Sequence, residues 1–120
     1  MKKLLFALMF FVLPSVFGTV WAVDYLFYAE GCEHCQDVLD FVEEHKLDEQ
    51  FNLELREVRN DKENIKLFGE YLKKHNLSPE QTYVPFLVID EGEYCEYMHG
   101  KKAIANYYAS KLDMDEVCLA

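Results

Sequence analysis

Tyr25-Leu26-Phe27-Tyr28-Ala29-Glu30-Gly31-Cys32-Glu33-His34-Cys35 is the stretch on which the reading of this chain turns. The apolar, aromatic run opening near Val23 reads as a strand, and two thiols separated by two residues follow it directly. Beyond them Val38, Leu39, Phe41 and Val42 recur at helical spacing, with Gln36, Asp37, Asp40, Glu43 and Glu44 mostly on the wet side. The spacing predicts a helix from the cysteines to about Lys46. A strand that ends in Cys-x-x-Cys and feeds a helix puts Cys32 at the helix N-terminus. Unpaired backbone N–H groups and the positive end of the helix dipole favour a thiolate there. That thiolate is the attacking species in thiol–disulfide exchange, and Cys35 is within reach to resolve the mixed disulfide.

Ahead of this stretch, Met1-Lys2-Lys3 is a short basic head and residues 4–13 are an unbroken apolar run. Pro14 breaks the run, and Val20-Trp21-Ala22 offers small residues at −3 and −1 of a cleavage point. The layout is that of a secretory signal peptide over residues 1–22, leaving 23–120 as one mature domain. The competing reading is an uncleaved anchor, because residues 4–23 carry no charge and are about long enough to span a bilayer. Pro14, Ser15, Gly18 and Thr19 make a poor spanning core and favour cleavage. Export implies a periplasmic or secreted location, and the anchor reading a membrane-attached one. An oxidising compartment makes real disulfides expected among the four cysteines.

Residues 1–22 hold Lys2 and Lys3 and no acid, so residues 23–120 carry 10 basic and 22 acidic side chains, a net charge of −12. Such a surface repels phosphates and anionic headgroups, which argues against nucleic acid and against an anionic membrane as partners. Solubility is the plainer role of the charge. A domain of this size forms a core of its own, and the many aromatics supply large buried areas.

Downstream, Phe51, Leu53 and Leu55 alternate with polar residues as a half-buried strand does. Asn60 with Glu63 resembles a capping box, and Ile65, Phe68 and Leu72 mark the buried stripe of a second helix ending near His75-Asn76. Ser78-Pro79-Glu80-Gln81 reads as a single capped turn. Pro85-Phe86-Leu87-Val88-Ile89 is a central strand covered on both faces. Asp90-Glu91-Gly92-Glu93 is a hairpin turn, and residues 94–98 are the returning strand. Ile104, Ala105, Tyr108, Ala109 and Leu112 make a last amphipathic helix. The fold class is therefore α/β, in the order β-α-β-α-β-β-α, packed as a four-stranded mixed sheet flanked by helices.

This order, Cys-x-x-Cys at the first strand–helix junction and Val84-Pro85 opening the third strand together resemble the thioredoxin-like superfamily over essentially all of residues 23–120. The resemblance implies a cis Val84–Pro85 peptide facing the cysteines, with the Val84 backbone pairing an incoming substrate like an added strand. Gly31 before the first cysteine resembles glutaredoxins more than thioredoxins, which carry tryptophan there. The paired glycines that help glutaredoxins hold glutathione are replaced by His99-Gly100-Lys101-Lys102. Leu26 stands where thioredoxins carry a buried, proton-shuttling acid. His34 before the second cysteine resembles the centres of disulfide-introducing and isomerising enzymes. The implied activity is protein-thiol:disulfide exchange in either direction, with protein thiols or disulfides and a redox partner as the interacting species and no cofactor.

Cys32 is the expected nucleophile, Cys35 the more buried resolving thiol, and Val84 and Pro85 the substrate-pairing residues. His34 favours the Cys32 thiolate and Glu33 disfavours it, and side-chain direction decides between them. Cys95 and Cys118 are expected to form a structural disulfide. It would enclose 22 residues and stabilise by roughly 3 kcal/mol. The alternative is a buried Cys95 and an idle Cys118. His45, His75 and His99 read as scattered exposed positions. No metal is expected, since a closed zinc site needs four ligands, and Gln36 after Cys35 breaks the haem-attachment pattern. Tyr25, Phe27, Phe86 and Tyr108 read as core. Two other functions compete with exchange: a non-catalytic module binding a partner beside Pro85, and a metal carrier using the two thiols.

Overall fold

The sheet follows from two strands whose successive side chains are both buried. In β1 (Val23–Tyr28) and β3 (Phe86–Asp90), residues of opposite parity point to opposite faces, and both faces are covered. Leu26, Leu87 and Ile89 pack on one side with Val38, Phe41, Val42, Ile104 and Tyr108. Phe27, Phe86 and Val88 pack on the other with Leu72, Phe68 and Tyr71. The structure, a computed structural model, describes residues 22–114. The signal-peptide or anchor segment ahead of Ala22 and the tail cysteine Cys118 lie outside the described residues.

Around these strands the remaining elements are α1 (Glu33–His45), a short α2 (Leu47–Gln50), β2 (Leu53–Glu57), α3 (Lys62–Lys74), β4 (Cys95–His99) and α4 (Lys101–Lys111). A 3₁₀ turn at Pro79–Gln81 precedes β3, capped by the Ser78 hydroxyl. The strand order is β2-β1-β3-β4. β1 runs parallel to β2 and antiparallel to β3, and β3–β4 is a hairpin. The result is a mixed α/β protein with an open four-stranded mixed sheet flanked by helices, an architecture consistent with a thioredoxin-like fold. Among the described residues no helix is long and apolar enough to cross a membrane.

Several details differ from the sequence expectation. The chain adds α2, where Lys46 in a left-handed conformation ends α1 and lets Leu47 turn fully into the core. Leu55 is 41% exposed although it alternates correctly, because β2 is an edge strand. The α3 cap is Asp61 and not Asn60: the Asp61 carboxylate accepts from Asn64 N at 3.0 Å. The packed face of α3 runs through Asn64, Leu67, Phe68, Tyr71 and Leu72, so Ile65 is 43% exposed while Asn64 is buried. Arg56 Nη1 donates to Asn64 Oδ1 at 3.2 Å, which satisfies that buried amide. Of the four aromatics read as core, Phe27, Phe86 and Tyr108 are fully buried and Tyr25 is half-buried at the edge of the α3 face. Tyr108 donates its hydroxyl to Asp24 Oδ2 at 2.7 Å, pinning α4 to the start of the sheet.

Candidate functional site

Cys32 stands where β1 has ended and α1 begins, with extended backbone (φ −88°, ψ 116°). Its sulfur is the helix cap: Cys35 N donates to Cys32 Sγ at 3.2 Å, and Gln36 N donates to Cys32 O at 3.0 Å. Cys32 is half-buried, Cys35 is 1% exposed, and both are free thiols. Burial, with a smaller contribution from hydrogen bonding to Cys32, pushes the Cys35 thiol up to about 12. One sulfur therefore reaches the surface and its neighbour stays protonated beneath it.

Facing the pair is the loop into β3. The Val84–Pro85 peptide is cis, as the resemblance implies. Val84 O lies 4.0 Å from Cys32 Sγ, in line to accept from the thiol. Gly100 N donates to Pro85 O at 2.9 Å, fastening the end of β4 to the same loop. The topology makes this meeting unavoidable. Phe27 pairs with Phe86, and Phe86 with His99, so the ends of β1 and β4 and the start of β3 share one edge of the sheet.

Two depressions flank this edge. The larger, about 550 Å³, runs along Tyr83, Val84, Pro85, His99 and Lys102, with His34 on its rim from α1. The smaller, about 300 Å³, includes Cys32 itself together with Tyr28, Glu30, Glu33 and Leu39. His34 is exposed, and among the described residues no hydrogen bond joins it to either sulfur. Glu33 and His34 thus belong to opposite depressions.

Sequence reasoning missed the clamp on the loop that precedes Cys32. The Glu57 carboxylate, at the end of β2, accepts from the backbone N–H groups of Arg59 (2.6 Å), Asn60 (2.9 Å), Asp61 (3.3 Å) and Glu30 (3.4 Å). Desolvation pushes this carboxyl up, but the four bonds together outweigh it and hold it below the usual carboxylate range. Arg59 Nη1 donates to Glu30 O at 2.7 Å and Asn60 Nδ2 to Glu30 Oε2 at 3.1 Å. Ala29-Glu30-Gly31 is thereby tied to the β2–α3 loop. These bonds join residues 27 to 30 positions apart, a separation that no local sequence pattern records.

The other expected residues lie elsewhere. Cys95 pairs with Asp90, at the far end of the hairpin from Phe86 and His99. Its free thiol sits 3.3 Å from His75 Nε2. Burial raises the Cys95 pKa and lowers that of His75, so the two meet as a neutral thiol and imidazole. The bridge from Cys95 to Cys118 falls outside the described residues. The three histidines read as exposed are half-buried instead, each against an aromatic ring: His45 on Phe41, His75 on Tyr97, His99 on Tyr83. The ring is the reason, since imidazole offers an apolar face as well as polar nitrogens. Among the described residues no three His, Cys, Asp or Glu side chains stand together as a metal site. No protein-family model matches this chain, and no curated protein matches it.

Proposed function

We propose that the protein is a thioredoxin-like protein-thiol:disulfide oxidoreductase that exchanges a Cys32–Cys35 disulfide with cysteines of other proteins. The observation that carries the reading is the pairing of a capped, half-exposed Cys32 sulfur with a buried, protonated Cys35, beside the carbonyl of Val84. In the oxidising direction a substrate thiolate attacks Cys32 Sγ. The Cys32–Cys35 bond breaks, and Cys35 leaves with the bonding pair and takes up a proton. A second substrate thiolate then attacks the substrate sulfur of the mixed disulfide and releases Cys32 as thiolate. The reducing direction is the reverse: Cys32 attacks a substrate disulfide, and the Cys35 thiol closes the ring while its proton leaves with the substrate thiol. The backbone of Val84 offers pairing to an extended substrate chain. Both directions need only sulfur chemistry.

The reading includes export after removal of residues 1–22, for which N-terminal sequencing of the secreted protein starting at Val23 is the check. The test of chemistry is substitution. Cys32→Ser abolishes exchange with insulin or a model peptide disulfide, and Cys35→Ser accumulates mixed disulfides through Cys32. The groove beside Pro85 also suits a binding module without catalysis. That module would keep its partner affinity in Cys32→Ser and show no exchange in the wild type.

A further inference from the structure

The two depressions beside Cys32 carry opposite charge. The larger is lined by His34, His99, Lys101 and Lys102 and, among the described residues, by no acid. The smaller is lined by Glu30 and Glu33 and, among the described residues, by no base, although the Arg59 guanidinium stands behind it on Glu30 O at 2.7 Å. A cationic groove is unexpected on a chain of net charge −10. Lys101 Nζ is paired with Asp37 at 2.8 Å, which leaves exposed Lys102 as the main cation facing out. His99 lines the same groove with its ring edge-on against exposed Tyr83 at 4.3 Å, and its buried Nδ1 has no hydrogen-bond partner among the described residues.

We infer that this edge recognises a charge-polarised cysteine segment of a protein substrate. Acidic residues on one side of the cysteine occupy the Lys102–His99 groove, and basic residues on the other side lie over Glu30 and Glu33. The inference rests on the exchange reading for its chemistry but on the charge distribution for its specificity. A chain laid across Cys32 along Val84 reaches both depressions, because Val84 lines the larger and Cys32 the smaller. Opposite fields on the two sides fix which way round the segment lies, as electrostatic complementarity does at protein interfaces. Exposed Tyr83 supplies an apolar wall to the same groove. Lys102 and His99 are thus specificity-determining residues.

Two peptides of identical composition provide the test. One has Asp-Asp on the N-terminal side of a disulfide-bonded cysteine and Lys-Lys on the C-terminal side, and the other has the two pairs interchanged. Their net charges are equal, so the overall negative charge of the protein cannot distinguish them. One order is expected to be exchanged about three- to tenfold faster in kcat/KM at low salt, the size expected of a few partly exposed charge pairs. Half-molar salt should erase most of the difference. Lys102→Glu should compress or reverse the ratio, and because the readout is a ratio within each variant, a general loss of activity cancels. A second arm uses the same peptides with serine in place of cysteine and follows the backbone amide shifts of Tyr83, His99 and Lys102. Equal rates for the two orders, with no shifts at the groove, overturn the inference and leave the exchange reading standing. Order-dependent groove shifts without any exchange support the recognition and sink the oxidoreductase reading.

Discussion

The backbone N–H of Cys35 donates to Cys32 Sγ at 3.2 Å, so the sulfur proposed to attack substrate is also the N-cap of α1. Capping and chemistry therefore act on one atom and separate under substitution. Serine is among the preferred cap residues, whereas alanine leaves the first-turn N–H groups without a side-chain acceptor. In the reduced protein Cys32→Ser should be at least as stable as wild type and Cys32→Ala less stable than Cys32→Ser by about 1 kcal/mol in urea unfolding. Both should lack exchange. Equal stability of the reduced wild type and the alanine variant would show that the sulfur contributes nothing as a cap.

Cys35 predicts a pH dependence of stability. Its folded pKa, pushed up by burial to about 12, exceeds the ordinary value near 9. The folded state therefore holds the proton more tightly than the unfolded chain. Between those two values the unfolded chain has lost it and the native state has not, so stability falls as pH rises. The contribution is fully present below pH 9 and is lost on the way to 12. Reduced wild type should lose stability across that window more steeply than Cys35→Ser, measured as the denaturant midpoint at each pH. Parallel profiles for the two proteins would refute the buried-thiol assignment.

Glu57 has the opposite sign. Four backbone donors hold its carboxyl below the usual carboxylate value, so its stabilisation is present at neutral pH and is lost as pH falls through that range. Glu57→Gln should destabilise at pH 7, because an amide has one acceptor oxygen where the carboxylate has two. The gap between variant and wild type should narrow in acid. Faster amide exchange at Glu30, Arg59 and Asn60 in the variant would locate the damage at the clamp. A gap independent of pH would mean that the cage acts by shape alone.

The contrast between Cys32 and Glu57 shows what the chain made legible. The strand–Cys-x-x-Cys–helix junction is local: apolar periodicity changes from 2 to 3.6 within a few residues, and the cap falls where the pattern changes. Leu26, Phe27, Phe86 and Leu87 were readable for the same reason, since a continuous apolar run has few places to go but a doubly covered strand. Leu55 kept the right period and is still exposed, because edge position in a sheet is set by topology and not by the strand's own sequence. Ile65 keeps helical spacing with Phe68 and Leu72 and is still exposed, because the face of α3 that meets the sheet centres on Asn64, Leu67, Phe68, Tyr71 and Leu72 and leaves Ile65 at its border. The tie from the Glu57 turn to Glu30, and the meeting of His99-Gly100-Lys101-Lys102 with Tyr83, Val84 and His34, were illegible because those distant segments are brought together only by strand order.

Gly31 connects that clamp to the nucleophile and carries the last prediction. It has φ +85°, and a Cβ built there would lie 3.1 Å from Arg59 Nη1. Two separable costs oppose Gly31→Ala. The backbone conformation is one that an L side chain resists by about 1–2 kcal/mol. The steric contact is with the end of a flexible side chain, but that end is fastened by its 2.7 Å bond to Glu30 O. A double-mutant cycle with Arg59→Ala resolves them. If the backbone dominates, Gly31→Ala should destabilise by about the same 1–2 kcal/mol in both backgrounds. If the contact dominates, the cost should largely vanish once Arg59 is truncated. The positive φ makes the first outcome the expected one. Because Gly31 immediately precedes the capping sulfur, the same variant should also slow exchange at Cys32. Wild-type stability and exchange rate in Gly31→Ala would show that the loop relaxes freely and that the clamp does not position the cysteine.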